Sequence, residues 1–185
     1  EYGHFFAAMG TKVTMVEMAN RLILSEDPEI ADLLKQELGR RIDIRINTEV
    51  TGLVDINNGI VVKAKDKTTG KDIELSAQRI MMAVGRKSNA DTLNPENTGV
   101  DLDKRGFIKV NEYLETTKKN IFAIGDANGQ QMFTHVANKE AAVVIENMLH
   151  GADIKMNYMS APHAVFTHPQ IASVGLLEEA AAKSY

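Results

Sequence analysis

A chain of 185 residues, 44% hydrophobic and 25% charged with a net charge of −4, has the composition of a globular protein of one medium domain or parts of two. That charge balance argues against a nucleic-acid surface, and no apolar run approaches the roughly 18 residues of a membrane span. There is no cysteine, which excludes disulfides, thiolate metal sites and cysteine nucleophiles within these residues and is compatible with a cytoplasmic protein.

The opening Glu1-Tyr2-Gly3-His4 has neither an initiator Met nor a basic n-region, so it is not read as a signal peptide, and the chain reads as the middle of a longer one. Residues 1–9 predict a short helix, with Phe5, Phe6 and Met9 at near-helical spacing and Gly10 as its stop. Residues 11–17, rich in β-branched side chains, predict a buried strand closing on Glu17. Ser25-Glu26-Asp27-Pro28-Glu29 is a helix start, and the helix is expected to run through Ile30, Leu33, Leu34 and Leu38 to Gly39. Residues 42–50 predict a strand. Residues 52–56, 59–64 and 72–75 predict an antiparallel meander, with Asn57-Asn58-Gly59 and Lys67-Thr68-Thr69-Gly70 as its turns. Residues 79–85 predict another buried strand, ending in Gly85.

After a polar loop over 89–98, a short strand at 107–110 leads to a buried strand at 120–126 that ends in Gly125-Asp126. Residues 134–150 predict an amphipathic helix carrying Val136, Ala137, Ala141, Val144, Ile145 and Met148, stopped by Gly151. A linker over 152–158 is followed by strands at 164–167 and 171–175, around Pro169, and by the start of a new helix that reaches Tyr185.

Three positions carry legible chemistry. An acid closing the second strand of a βαβ unit, as Glu17 does, can accept hydrogen bonds from both ribose hydroxyls of an adenosine. It would repel a 2′-phosphate, favouring NAD over NADP; a solvated acid at a strand end is the alternative. The glycine loop that should precede it is absent, and Glu1-Tyr2-Gly3 would follow such a loop. Gly85 lets a cofactor approach the backbone with no Cβ in the way, or simply turns the chain, and Arg86 beside it reads as a phosphate contact or a surface contact, the surface reading being preferred. Asp126, at the C-terminal end of a strand, would face the ligand crevice of an α/β sheet and could accept from a sugar-like polyol; capping a loop is the alternative. The helix starting near Thr134 offers free N–H groups to a negatively polarised ring atom. Five histidines are present, but none has the spacing of a metal site on a helix, and none is expected.

Taken together, these segments resemble class I pyridine nucleotide–disulfide oxidoreductases of the dihydrolipoamide dehydrogenase type. The resemblance is carried by the run from Glu1 to Glu17, by Ala83-Val84-Gly85-Arg86-Lys87-Ser88-Asn89, by Gly106-Phe107-Ile108-Lys109-Val110, by Ile121-Phe122-Ala123-Ile124-Gly125-Asp126, and by Thr167-His168-Pro169-Gln170-Ile171-Ala172-Ser173-Val174-Gly175-Leu176. It implies an α/β fold of FAD- and NAD-binding Rossmann-like domains with a three-stranded antiparallel meander and the start of an α+β dimerisation domain. Residues 1–88 would form the NAD-binding domain without its first strand and glycine loop, 89–150 the closing part of the FAD-binding domain, and 151–185 the opening of the interface domain of a homodimer.

The resemblance also implies roles. Glu1 matches the acid that pairs with a lysine beside the flavin, a lysine not in this chain. Glu17 matches the adenosine-ribose acceptor, and Val50 and Gly85 match backbone contacts to NAD. Asp126 matches the acid that holds the FAD ribityl chain, and Met132, Phe133, Thr134 and His135 match the segment approaching the isoalloxazine. Electrons would pass from a dithiol substrate, dihydrolipoamide, to a disulfide, to FAD and to NAD. The redox cysteines and base histidine of that chemistry are absent here, so the chain by itself is expected to be inactive, and His168-Pro169 is not that base. The segment His135-Val136-Ala137-Asn138-Lys139-Glu140-Ala141 looks more like mycothione reductases, whereas mercuric reductases usually lack an acid at the position of Glu17. A non-catalytic nucleotide-binding protein of the same fold is the reading from another class.

Overall fold

The computed structural model describes residues 1–184. The chain forms two units, each taken by itself below: residues 1–83 with the segment from Pro162 onward, and Val84–Ala161.

In the first unit, helix α1 (Tyr2–Ala8) leads into strand β1 (Val13–Val16), helix α2 (Pro28–Leu38) crosses over, and strand β2 (Ile42–Arg45) returns. The crossover lets β1 and β2 pair in parallel, from Val13 opposite Ile42 to Val16 opposite Arg45. Pro28 lies in the first turn of α2, where its missing N–H has no intrahelical acceptor to lose. Ala31, Leu34 and Leu38 form the buried stripe of α2, leaving Ile30 and Leu33 exposed. Leu34 and Leu38 pack with Leu22, Ile42 and Ile171 into one core.

The strand expected over 42–50 is broken by Asn47, whose φ of 51° is left-handed and ends the parallel pair. Strand β3 (Thr48–Ile56) therefore opens a separate sheet with β4 (Gly59–Asp66) and β5 (Asp72–Ala77), an antiparallel meander turning where its Asn-Asn-Gly and Thr-Thr-Gly segments predict. Strands β6 (His163–Val165) and β7 (Ile171–Ser173) form an antiparallel pair, and helix α4 (Glu178–Ser184) is the expected new helix; Tyr185 lies outside the described residues.

Residues 79–85 are not a strand. Met81, Met82 and Val84 are 52%, 65% and 86% exposed. Among the described residues no strand pairs with this run, and without a partner an apolar segment has no hydrogen-bonded ladder to join.

In the second unit the short strands expected at 107–110 and 120–126 shrink to isolated bridges, Leu102 with Ile108, Val110 with Thr116 and Glu115 with Phe122. The chain leaves extended geometry at Gly125 (φ 64°) and enters a 3-10 turn, Gly125–Asn128, so Asp126 sits within a turn and not at a strand end. Helix α3 (Thr134–Ile145) follows, continues as one wide turn (Glu146–His150) and stops at left-handed Gly151. Its buried stripe is Val136, Glu140, Val143 and Val144, at i, i+4, i+7 and i+8. Ile145 and Met148, expected on that face, are exposed. Val136, Val143 and Val144 pack with Leu114, Met156 and Ala161. Among the described residues no helix is long and apolar enough to cross a membrane.

Candidate functional site

Glu17 stands one residue past the C-terminal end of β1, held there by main-chain bonds on both sides. Its N–H donates to the Arg45 carbonyl at 2.8 Å, and its own carbonyl accepts from the Thr48 N–H at 2.9 Å. The half-buried side chain turns back on its own loop, where Oε1 accepts from the Ala19 N–H at 2.7 Å. Oε2 has no hydrogen-bond donor among the described residues. That leaves a carboxylate oriented by one bond and open at the other oxygen, at the C-terminal end of a parallel strand pair, where an α/β sheet binds ligands. Val50 is close in sequence to the Glu17–Thr48 link and 45% exposed, beside an irregularity in the β3–β4 register between Val50 and Gly52. Glu1, 165 residues from Phe166 in sequence, accepts the Phe166 N–H on Oε1 at 2.8 Å.

In the second unit, Gly85 has a φ of 120° and open space where a Cβ would stand. Next to it, Arg86, read from the sequence as a surface contact in preference to a phosphate contact, donates from its guanidinium to Oδ2 of Asp126. Both side chains are more than half exposed, so the pair contributes little stability, about 0–1 kcal/mol. Its main effect is orientation: Oδ2 is held, while Oδ1 faces no donor among the described residues. Gly125 lies against the first turn of α3, where an added Cβ would come 3.3 Å from Ala137. Asp126 is thereby set beside the start of that helix, together with Met132, Phe133, Thr134 and His135. The N-cap residue Phe133 supplies no side-chain cap, and its ring stacks on that of His135 with centroids 5.6 Å apart.

Beneath this turn lies a group that sequence reasoning missed. The Glu140 carboxylate is fully buried, and three donors converge on it: the Gly125 N–H on Oε2, and on Oε1 the Asn128 amide at 3.1 Å and the Tyr158 hydroxyl at 2.6 Å. A buried carboxylate is tolerated only when its lone pairs are met in this way. Burial, with the carboxylate beside it, pushes the Tyr158 phenol above its ordinary value. The sequence held a signal: position 140 is four residues from both Val136 and Val144, and a charged residue on an apolar stripe needs a buried partner.

The two acids therefore suit the groups the sequence implies. Each is an exposed or half-exposed carboxylate with one oxygen fixed by the protein and the other open, the arrangement that accepts hydroxyl protons from a sugar or polyol.

Against known proteins, residues 1–141 match the family model described as pyridine nucleotide-disulphide oxidoreductase. The chain is 35% identical to a mercuric reductase of Staphylococcus aureus over 98% of its own length and 33% of that protein's. It is 33% identical to dihydrolipoyl dehydrogenase 3 of Haloarcula marismortui, covering 98% of this chain and 39% of the relative. With a mycothione reductase of Mycobacterium tuberculosis it shares 34% identity, again over 98% of this chain and 39% of the relative. It thus spans about a third to two fifths of the curated relatives it matches. Among solved structures, the Cu(II) complex of the HOCl-induced flavoprotein disulfide reductase RclA from Escherichia coli superposes with a TM-score of 0.88 at 30% identity, over 99% of this chain and 41% of that one. LpdA of Mycobacterium tuberculosis, at 22% identity and a TM-score of 0.87 over 100% of this chain and 39% of that one, shares the fold. An acid just past the end of β1, a meander after the parallel pair, a Gly-Asp turn packed on a helix start, and a family match over most of the length agree: the chain belongs to the pyridine nucleotide-disulphide oxidoreductase family.

Proposed function

We propose that this chain is the central part of a flavoprotein disulfide oxidoreductase that acts on dihydrolipoamide, with NAD as the nicotinamide cofactor. In such an enzyme FAD supplies two-electron chemistry between the thiol substrate and the nicotinamide. Residues 1–88 would serve the NAD-binding domain, 89–150 the FAD-binding domain and 151–185 the interface domain of a cytoplasmic homodimer.

The observation that carries this reading is the state of Glu17. Its Oε1 is fixed by the Ala19 N–H, its Oε2 is open, and it lies at the C-terminal end of β1. A carboxylate so placed accepts from the two ribose hydroxyls and repels a 2′-phosphate. Val50 and Gly85 would offer main-chain groups to the same cofactor. Asp126 would accept hydrogen bonds from ribityl hydroxyls on the oxygen that Arg86 leaves open, and residues 132–135, at the start of α3, would approach the ring system. Glu1 would pair with a lysine near the flavin.

A second reading, a metal-ion reductase, is favoured by the 35% identity to the mercuric reductase. Steady-state assays on the full-length protein separate the two. NADH-dependent reduction of lipoamide, at least tenfold better in kcat/KM than with NADPH and lost in large part from Glu17→Ala through a KM for NADH raised about tenfold (~1.4 kcal/mol), is the expected result. Reduction of Hg(II) with no turnover of lipoamide would replace the first reading by the second, and preparations that bind no flavin would remove both.

A further inference from the structure

The Gly125–Asn128 turn presents Asp126, and its main chain is held in part by the Gly129 N–H on the Asp126 carbonyl at 3.3 Å and the Ile108 N–H on the Ala127 carbonyl at 3.0 Å. The exposed Asp126 carboxylate pairs, among the described residues, with exposed Arg86, and Ala127 has a short side chain. A side-chain clamp on both flanks of Asp126 lies below it. Glu140 takes the N–H of Gly125, the residue just before Asp126, and the side-chain amide of Asn128, two residues after it. The same amide also reaches the Ala123 carbonyl at 3.4 Å, so the carboxylate and amide together clamp the chain on both sides of Asp126. A third donor, the Tyr158 hydroxyl, comes from the return segment after α3 and closes the node. Glu140 itself is fixed by the packing of α3, whose Val136 and Val144 flank it on the buried stripe.

We infer that Glu140 is a positioning residue for flavin binding: through the Gly125 N–H and the Asn128 amide it sets the turn so that the Asp126 carboxylate meets the ribityl hydroxyls, without touching the flavin itself. This rests on the reading of Asp126 given above. The physical reason is the count of acceptors. Three donors need the two oxygens of a carboxylate. A glutamine offers one oxygen and an NH2, so either its amide confronts the Gly125 N–H or it confronts Asn128 and forces the Tyr158 hydroxyl to turn round. In both cases the turn shifts while the volume in the core is kept.

The test is a double-mutant cycle on the full-length protein, read as the FAD dissociation constant from the flavin fluorescence change on rebinding to apoprotein. Glu140→Gln is expected to weaken FAD binding about tenfold, Asp126→Asn to weaken it by a similar factor, and the double variant to resemble Asp126→Asn alone, because a misplaced turn has no further acceptor to misplace. NADH affinity, assigned chiefly to Glu17 of the other unit, should change less than about twofold in all three. Tyr158→Phe removes one donor and keeps the carboxylate; it is expected to weaken FAD binding by about threefold with the same non-additivity, and it carries the cycle if Glu140→Gln does not fold. Effects that multiply in the double variant would show that Glu140 acts on stability alone and would overturn the inference, as would wild-type FAD affinity in Glu140→Gln. A wild-type protein that binds no FAD would instead overturn the functional reading on which it rests.

Discussion

Across β3, β4 and β5 the chain satisfies its main-chain groups by exchange between neighbouring strands, with paired residues running from Thr48 opposite Asp66 to Lys65 opposite Asp72. Between residues 101 and 129 of the other unit almost no such ladder exists. Three isolated bridges replace it, and side chains do the remaining work: Asp103 accepts the N–H groups of Arg105 and Phe107, Asn111 those of Tyr113 and Glu115, and Glu140 that of Gly125. A ladder distributes its bonds over many interchangeable residues, whereas a polar node concentrates them on a few that tolerate little change. The meander should therefore bend under substitution where the turn region breaks.

Glycines in the two regions provide the sharpest contrast. Gly129 ends the 3-10 turn at a φ of 68°, and a Cβ there would fall 2.4 Å from Cγ of Phe107. Phe107 is 4% exposed and covered by the Arg105 guanidinium, 5.0 Å above its ring, so it has no room to yield. Gly129→Ala combines left-handed strain with overpacking and is expected to cost about 2–4 kcal/mol, read as a lowered urea midpoint at unchanged slope. Gly59, at the β3–β4 turn, has the Ala77 carbonyl 2.6 Å from its would-be Cβ. That carbonyl is main chain in the last residue of β5, opposite Ile60, so the end of the strand has to shift to admit the Cβ. Gly59→Ala is expected to cost about 1–2 kcal/mol in the same measurement. A larger loss at Gly59 than at Gly129 would reverse the contrast between ladder and node.

The same contrast explains what the sequence disclosed. The meander was legible because alternation and Asn-Gly-type turns are local signals, and α1, α2 and α3 because apolar spacing and stop glycines are local too. The strands expected at 79–85 and 120–126 failed for a non-local reason: an apolar run becomes a strand only beside a partner, and the residues themselves do not say whether one is present. Of the candidate site, Glu17 and Asp126 stand out as candidates by their places after β-branched or apolar runs, although Asp126 sits in a turn. Arg86 and Glu140 do not, since their roles depend on partners 40 and 15 residues away.

The smallest expected effect lies within the meander itself. At the β4–β5 turn the Asp66 carboxylate accepts the N–H groups of Thr68 at 2.7 Å and Thr69 at 3.0 Å. These backbone bonds, that from Thr69 foremost, hold its pKa below the ordinary 3.8. A depressed carboxylate contributes its stabilisation fully above the ordinary value and loses it as the pH falls through the depressed one. The Thr68 and Thr69 amide protons should therefore keep their downfield shifts to lower pH than a carboxylate at the ordinary 3.8 would allow, with a common titration midpoint below that value. In Asp66→Asn the amide oxygen still accepts, so the turn should persist while the titration disappears from both amides. Because the group is fully exposed and the ladder continues on both sides, the unfolding midpoint near neutral pH should scarcely move. A large loss of stability in Asp66→Asn would mean that the meander too depends on a single polar contact, and that the ladder is not what holds it.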